Sequence, residues 1–345
     1  APPTMYLGAD FCIYEITIDD VLETKCWAMS ADSHIKKALQ VIKEKLKKDD
    51  VLFRSTRTAE QPFSCQSYRP ELDTTEECNE EQLQLFQSLI GIARWLCELG
   101  RLDILTETSM LFGYLASPRV GHLHQAVHMF KYLKDHNRSK IVFDPTYVDI
   151  NEPKGMKEED TAAFKAKYMK ELYPDAVEML PPNAPKPRGR PVQMHVFVDS
   201  DHAGDKVTRR SRTGVLIYLN KAPIIWYSKK QNTVETSTFG SEFVAMRQAF
   251  EMVKALSYKL RMFGIPIDVP AQVYGDNNAV VLNSSVPEST LKKKHNSVNY
   301  NYVRECVAAG IGLVFKVDTN DNLADLFTKV LDKVRRKTLV NKIMR

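Results

Sequence analysis

The sequence lacks the features that place a protein in a membrane or in the secretory route. No apolar run approaches the roughly 20 residues that a membrane-spanning helix needs, and the first residues show no basic segment followed by an apolar stretch. The six cysteines are scattered, with no CxxC pair to suggest a zinc or thioredoxin-like site. These absences predict an intracellular protein of the cytoplasm or nucleus, with reduced thiols and no membrane partner.

Charge is distributed unevenly along the 345 residues. Residues 187–345 carry a net charge of +11, whereas residues 1–186 carry a net charge of −6. A basic half favours an anionic partner such as nucleic acid. The C-terminal segment 333–345 supplies part of this excess, and it could instead form a solvated helix.

The apolar periodicity divides the chain into three segments. Residues 1–149 combine strand-like runs near the N-terminus with several amphipathic helical patterns. Residues 150–192 contain a charged helical pattern followed by five prolines between Pro181 and Pro191, which predicts an extended linker. Residues 193–345 predict the element order βββαβααβα. We therefore expect an α-rich region with a small sheet, a Pro-rich linker and an α/β domain.

Four acidic residues of the last segment stand where a strand ends or a helix begins. The helical crossover between the first and fourth strands makes those strands parallel and adjacent, so that Asp199 and Asp276 meet at their carboxyl ends. Glu242 and Asp325 fall in the first turns of two helices. Four carboxylates at one point repel unless cations neutralise them. The pattern therefore predicts a site for divalent metals and phosphate chemistry.

Five sequence blocks of the last segment resemble the RNase H domain of copia-type LTR retrotransposon Pol polyproteins. In order, they are VDSDHAGDKVTRRSRTG, APIIWYSKKQNTVETSTFGSEFVAM, VYGDNNAVVLN, LKKKHNSVNYNYVRE and DTNDNLADLFTK. Upstream, YLGAD, YRPELD and two helical stretches are similar to the late palm, thumb and connection of the reverse transcriptase in those polyproteins. The resemblance implies the C-terminal part of a Pol polyprotein. It also implies an RNase H-like fold, a mixed five-stranded sheet with flanking helices, after a reverse transcriptase remnant.

The same resemblance implies an endonuclease that cuts the RNA strand of RNA–DNA hybrids. Asp199, Glu242, Asp276 and Asp325 would be its catalytic and metal-binding carboxylates, holding two Mg²⁺ ions or, in their place, Mn²⁺. Asp199 would bridge both ions. Selection of the RNA strand would rest on contacts to its 2′-OH groups.

A second set of residues is expected either to contact nucleic acid or to lie in solvated loops. The set is Arg209, Arg210, Arg212, Lys229, Lys230, Asn278, Lys292, Lys293, Lys294 and His295. The basic residues suit phosphate contacts by counterion release. Asn278 could order a metal-bound water or cap a helix. His295 is the histidine nearest to the place of a mobile histidine that many RNase H enzymes carry before their last helix.

Two departures from the family pattern bear on function. Gly240-Ser241-Glu242 stands where the family usually has Glu-x-Glu. The Tyr-x-Asp-Asp turn of a polymerase palm is missing, because neither Asp19-Asp20 nor Asp49-Asp50 lies between apolar strands. We therefore expect no DNA polymerisation, and a partner that covers the missing palm, either the rest of the polyprotein or another protein. The alternative is a decayed or domesticated protein that binds or scaffolds nucleic acid without cutting it.

Three histidines of the first segment invite a zinc interpretation. His124 and His128 would share one face of a helix, with His122 nearby. No fourth ligand is evident, so the sequence favours a structural role for these side chains.

Overall fold

The computed structural model describes four stretches of the chain. These are residues 4–18, 22–45, 58–148 and 161–345. The acidic pairs Asp19-Asp20 and Asp49-Asp50 and the first residues of the expected linker lie outside them. Within the four stretches, no helix has both the length and the apolar character to cross a bilayer.

The strands and helices are numbered in chain order. The strands are β1 (Met5–Tyr6), β2 (Ala9–Ile18), β3 (Leu22–Ser30), β4 (Lys140–Phe143), β5 (Met194–Asp201), β6 (Arg212–Leu219), β7 (Ala222–Lys230), β8 (Ala271–Gly275) and β9 (Gly312–Lys316). The α-helices are α1 (Asp32–Lys45), α2 (Glu80–Glu98), α3 (Leu105–Phe112), α4 (Val120–Asp135), α5 (Ala162–Leu172), α6 (Thr238–Met262), α7 (Asn278–Ser285), α8 (Ser297–Ala308) and α9 (Lys333–Ile343). Short 3-10 helices include Lys294–Asn296 and Leu323–Phe327.

The chain folds as two compact units. The first comprises Ala1–Asp144, Asp205–Val207 and Lys329–Arg345. The second comprises Pro145–Gly204 and Thr208–Thr328. These boundaries differ from the expected segments 1–149, 150–192 and 193–345 in two places, the linker and the C-terminus.

The first unit is an α-rich body with a small sheet. Strands β1, β2, β3 and β4 lie in that order and are all antiparallel. Helices α1, α2 and α4 contribute Ile35, Phe86, Ile90, Phe130 and Leu133 to its hydrophobic core. The expected combination of helices and a small sheet is therefore found.

Helix α2 shows how the sequence dictates these elements. The Asn79 side chain accepts a hydrogen bond from the Gln82 amide, and the Gln82 side chain accepts one from the Asn79 amide, both at 3.0 Å. This capping box satisfies two donors that a helix start otherwise leaves free. Apolar residues then recur at helical spacing, so that Phe86, Ile90 and Ala93 are all buried.

The C-terminal segment belongs to the first unit because its side chains and backbone are bound there. Lys140 and Arg345 exchange two backbone hydrogen bonds of 2.6 and 2.9 Å. Arg336 of α9 is 2% exposed and donates from Nη1 to Glu107 Oε1 at 2.7 Å. Leu339 and Ile343 are buried on the same helix. Helix α9 is therefore not the solvated helix that its basic composition allowed, and it belongs to the first unit and not to the α/β domain to which we had assigned it.

The second unit is built on one mixed sheet of five strands in the order β7-β6-β5-β8-β9. Strands β5, β6 and β7 are antiparallel, whereas β5 pairs with β8, and β8 with β9, in parallel. The expected parallel neighbours β5 and β8 are thus confirmed. The sheet and its flanking helices have the α/β architecture of an RNase H-like fold.

One face of this sheet is covered by helices α6 and α8. Val196 and Val198 alternate along β5 with side chains of the opposite face and reach the core. Phe243 and Phe250 of α6 and Val303 of α8 fill the space above them and are fully buried. The valines of β5 and the two phenylalanines of α6 thus form one buried layer that packs the helix against the strand.

The expected linker is only partly a linker. Met169 of α5 is fully buried in the core of the second unit, and the Tyr173 hydroxyl donates to Asn301 Oδ1 at 2.9 Å. Beyond α5, the Arg188 and Val192 amides donate to backbone carbonyls at 2.8 and 3.0 Å. The described part of this segment therefore belongs to the second unit, and composition missed it because Met169, Tyr173 and Val192 pack against a core formed by distant residues.

His195 on β5 should make the second unit sensitive to acid. Its side chain is buried beside Tyr274, neither ring nitrogen has a hydrogen-bond partner among the described residues, and burial lowers its pKa to about 4. Below a pH of about 6.5 the unfolded chain therefore takes up a proton that the folded chain excludes. We expect a loss of about 1–2 kcal/mol between pH 7 and pH 4.5, after allowance for solvent screening.

The measurement is urea unfolding followed by Trp226 fluorescence in a background with Trp27 and Trp95 replaced by Phe. His195→Phe should remove this part of the acid sensitivity, since phenylalanine does not titrate. Parallel stability curves for the two proteins between pH 7 and pH 4.5 would contradict the assignment.

Candidate metal centre

Three of the four predicted carboxylates meet at one end of the sheet in the second unit. Oxygen atoms of Asp199, Asp276 and Asp325 all lie within 4.8 Å of one another. Asp199 and Asp325 are 1% and 3% exposed, whereas Asp276 is half-buried. Among the described residues, this is the group of acidic, histidine or cysteine side chains whose geometry could hold a metal ion.

The sheet register explains why the first two carboxylates meet. Phe197 of β5 pairs with Tyr274 of β8 in parallel, so Asp199 and Asp276 each follow two residues later on neighbouring strands. Side chains two residues apart on a strand share a face. The aspartates therefore leave the sheet side by side at its carboxyl edge, where α/β sheets place their sites.

Asp325 reaches the same point from the 3-10 helix Leu323–Phe327. Asn322 begins this helix, and its side-chain oxygen accepts from the Ala324 amide at 3.1 Å. The amide nitrogen of the same side chain donates to the carbonyl of Val198 at 3.0 Å, one residue before Asp199. Asn322 therefore fixes the start of the helix to the strand that carries the first aspartate.

The grouping is electrostatically unfavourable without a counter-charge. Two carboxylates with oxygens no more than 4.8 Å apart repel by at least roughly 3 kcal/mol at an effective dielectric constant near 20. Carboxylate oxygens are the ligands that Mg²⁺ and Mn²⁺ prefer. The three side chains therefore fit a divalent cation of this class.

Glu242 is not in this group of three. It is the fifth residue of α6, which begins at Thr238, so it lies just beyond the first turn in which we had placed it, and it is 6% exposed. Its neighbour Ser241 is tied to the sheet by the buried side chain of Gln231, whose amide nitrogen lies 2.9 Å from the Ser241 carbonyl and 3.0 Å from Thr213 Oγ1. The same nitrogen lies 3.5 Å from Ser200 Oγ, beside Asp199. Gln231 therefore holds the start of α6 against the strand ends that carry the site.

Sequence reasoning missed Gln231 because it follows Lys229-Lys230 and resembles a solvated strand end. Its 2% exposure is the decisive observation, and it needs the tertiary fold to be seen. The one sequence signal for its burial was an uncharged polar residue directly after two lysines at the end of a strand.

Gly240 stands at the first position of the family's Glu-x-Glu pattern, close to two other side chains. A Cβ atom at this position would lie 2.5 Å from Glu235 Oε2 and 3.1 Å from Asn296 Nδ2. A larger side chain would therefore displace the Glu235 carboxylate or the buried Asn296 amide. A glutamate at this position would therefore require the Glu235 and Asn296 side chains to shift.

The residues expected to contact nucleic acid differ in their exposure. Arg209, Arg210, Lys229, Lys292, Lys294, Asn278 and His295 are exposed, and Lys230 and Lys293 are half-buried. Lys293 Nζ lies 5.8 Å from the centre of the Phe239 ring. Arg212 is only 6% exposed, and its Nη1 donates to Ser228 Oγ at 3.3 Å. Arg212 therefore links β6 to β7, and we no longer propose it as a phosphate contact.

Two other expectations are resolved by hydrogen bonds. Asn277, not Asn278, caps α7, because its Oδ1 accepts from Ala279 and Val280. In the first unit, the His122 ring accepts from the Arg119 amide at 3.0 Å and lies 2.9 Å from the Pro70 carbonyl. Both ring nitrogens of His122 are occupied, which removes it as a zinc ligand.

Comparison with curated proteins relates the chain to retroelements. Over 156 residues, it is 31% identical to the "Retrovirus-related Pol polyprotein from transposon RE1" of Arabidopsis thaliana, covering 45% of this chain and 11% of that protein. Over 137 residues, it is 32% identical to the "Retrovirus-related Pol polyprotein from transposon TNT 1-94" of Nicotiana tabacum, covering 40% and 10%. The homologues of this chain are retrovirus-related Pol polyproteins.

These Pol polyproteins belong to copia-type plant transposons, which confirms the resemblance read from the five sequence blocks. The chain spans about a tenth of the length of the Pol relatives that it matches. No family model matches the chain.

Solved RNase H structures are also similar to this Pol-related chain. RNase H1 of Halobacterium salinarum has 12% identity and a TM-score of 0.31, covering 39% of this chain and 94% of that one. LC11-RNase H1, solved in complex with an RNA/DNA hybrid, has 16% identity and a TM-score of 0.32, with the same coverage. TM-scores this low do not support an argument about the fold. The fold assignment rests on the strand order of the second unit.

Proposed function

We propose that the second unit cleaves the RNA strand of RNA–DNA hybrids in a reaction that requires divalent metal ions. The observation that carries this proposal is the meeting of Asp199, Asp276 and Asp325 at the carboxyl edge of parallel strands. The homology of the chain to Pol polyproteins supports it, because copying RNA into DNA produces such hybrids.

Mg²⁺ is the proposed ion, with Mn²⁺ as its substitute, and Asp199, Asp276 and Asp325 would hold it with Glu242 nearby. When bound, a pair of such ions supplies an activated water and a Lewis acid for the leaving oxygen. The carboxylates of the chain provide the fixed negative charge that retains the ions. Burial of Asp199 and Asp325 limits their movement.

Binding of the hybrid is assigned to the exposed basic residues of the second unit. Arg209, Arg210 and Lys229 lie at the ends of strands or in the loops that follow them, and Lys292 and Lys294 precede α8. Their contacts would be to phosphates and would weaken with salt. The choice of the RNA strand would rest on its 2′-OH groups.

A second candidate function is binding of nucleic acid without cleavage. The observation that favours it is the position of Glu242 outside the group of three carboxylates, with a glycine at position 240 where the family pattern has its other glutamate. In either case we expect no polymerase activity. The proposed partner is the rest of a Pol polyprotein, or another protein in its place, inside the cell.

The test is cleavage of labelled RNA by the full chain, purified from cells that lack their own RNase H. We expect cutting of RNA–DNA hybrid in Mg²⁺ or Mn²⁺, and no cutting of double-stranded RNA or of hybrid in EDTA. Binding of hybrid without cutting in either metal would support the second candidate function. Equal cutting of double-stranded RNA would contradict the hybrid specificity.

A further inference from the structure

The 3-10 helix that carries Asp325 is held at both ends to the strand that carries Asp199. At its start, Asn322 donates to the Val198 carbonyl. Just after its end, the Thr328 hydroxyl donates to Asp199 Oδ2. Both side chains are fully buried. The two hydrogen bonds therefore set the position of one candidate metal ligand relative to the other.

The Thr328 hydroxyl has one proton, and its geometry decides where that proton goes. Thr328 Oγ1 lies much closer to Asp199 Oδ2 than to the Asp325 carbonyl, which is 3.3 Å away. A hydrogen bond to an ionised carboxylate is also stronger than one to a neutral carbonyl. The proton is therefore directed at Asp199.

Gly214 allows Thr328 to come so close. It pairs with Asp199 across β5 and β6. A Cβ atom at Gly214 would lie 2.7 Å from Thr328 Cγ2, 2.8 Å from the Ala324 carbonyl and 3.0 Å from Phe327 Cβ. The missing side chain thus provides the space in which the 3-10 helix rests on the sheet.

We infer that Thr328 is a positioning residue of the metal centre. Its hydroxyl holds Asp199 Oδ2 and thereby fixes the orientation of the carboxylate that meets Asp276 and Asp325. The inference rests on the proposed metal-dependent function and assigns to Thr328 no contact with substrate. Hydrogen bonds of this kind to a ligating carboxylate typically change metal affinity by 10- to 100-fold.

Direct Mn²⁺ binding tests this role separately from cleavage. Free Mn²⁺ is measured by electron paramagnetic resonance during titration of the full chain, beside hybrid cleavage as a function of Mg²⁺. Thr328→Val removes the hydroxyl at nearly constant volume, and we expect Mn²⁺ affinity to fall about 10- to 100-fold. Thr328→Ser keeps the hydroxyl and should bind Mn²⁺ within about threefold of the wild type.

Thr290→Val is the matched control, because Thr290 is exposed in the same unit, and its Mn²⁺ affinity should not change. If Thr328→Val does not fold, Thr328→Ala and Thr328→Ser form the comparison, since they differ only in the hydroxyl. Unchanged affinity in Thr328→Val, or equal losses in the alanine and serine variants, would overturn the inference.

The proposed nuclease can fail without this inference failing. A wild-type chain that binds Mn²⁺ but does not cut hybrid would refute the nuclease, while a weaker Thr328→Val would still support the role of Thr328. A wild-type chain that cuts in Mg²⁺ and shares its Mn²⁺ affinity with Thr328→Val would refute only the inference. A wild-type chain that binds no Mn²⁺ would refute both.

Discussion

Asp199→Asn should reduce hybrid cleavage by at least about 10³-fold and leave hybrid binding within about threefold of the wild type. Asp199 is buried, and one of its carboxylate oxygens lies within 4.8 Å of oxygens of Asp276 and Asp325. Asparagine has nearly the same shape but removes one negative charge from the group. A loss of about 4 kcal/mol of transition-state stabilisation corresponds to this factor.

The matched control is Asp268→Asn, which removes the same charge from an exposed position of the second unit. Cleavage rates are measured at saturating Mg²⁺, and hybrid affinity is measured by fluorescence anisotropy in EDTA. Asp268→Asn should match the wild type in both. A fall in cleavage that Asp268→Asn shares would indicate an effect of net charge, and cleavage by Asp199→Asn at the wild-type rate would place the active site elsewhere.

The sheet of the second unit could be predicted because its information is local. Alternating apolar residues identify each strand, and the crossover helix fixes β5 and β8 as parallel neighbours. Asp199 and Asp276 follow from that topology alone. Asp325 was expected at the site from its place at the start of a helix, but the topology does not fix its position, which depends on the contact of Asn322 with β5.

The supporting residues of the site could not be predicted in the same way. Gln231, Thr328 and Gly214 act through close approaches between segments far apart in the sequence. A glycine within a strand and a threonine after an acidic turn have many ordinary explanations. Only the assembled sheet shows that the glycine makes room for the threonine.

The C-terminus was misjudged for an electrostatic reason. A helix rich in lysine and arginine is usually solvated, and no sequence pattern indicates that Arg336 is buried. Its partner Glu107 lies 229 positions away, beyond any periodic pattern. Nearby, Arg101 and Asp103 form a second buried pair at 2.7 Å, and Tyr132 donates to Asp103 at 2.9 Å. The buried ion pair between Arg336 and Glu107 thus anchors α9 in the first unit, beside a second buried ion pair.

Arg336→Met should destabilise the first unit by about 3–5 kcal/mol, because it leaves the Glu107 carboxylate buried without its partner. Adding Glu107→Leu should restore most of this loss, since an apolar pair of similar volume avoids burying charge. Unfolding in urea is followed by Trp27 and Trp95 fluorescence in a Trp226→Phe background, which reports only the first unit.

The control is Arg138→Met, which removes the same charge from an exposed site of the first unit and should change stability by less than about 0.5 kcal/mol.

The pH dependence of the stability of Arg336→Met gives a second check. Burial raises the pKa of Glu107, and Arg336 opposes that rise. Without Arg336, the folded state binds a proton more readily than the unfolded state does, so the deficit of Arg336→Met should shrink as the pH falls. A deficit that stays constant with pH, or that Glu107→Leu fails to reduce, would show that the arginine stabilises the unit through its packing and not through its charge.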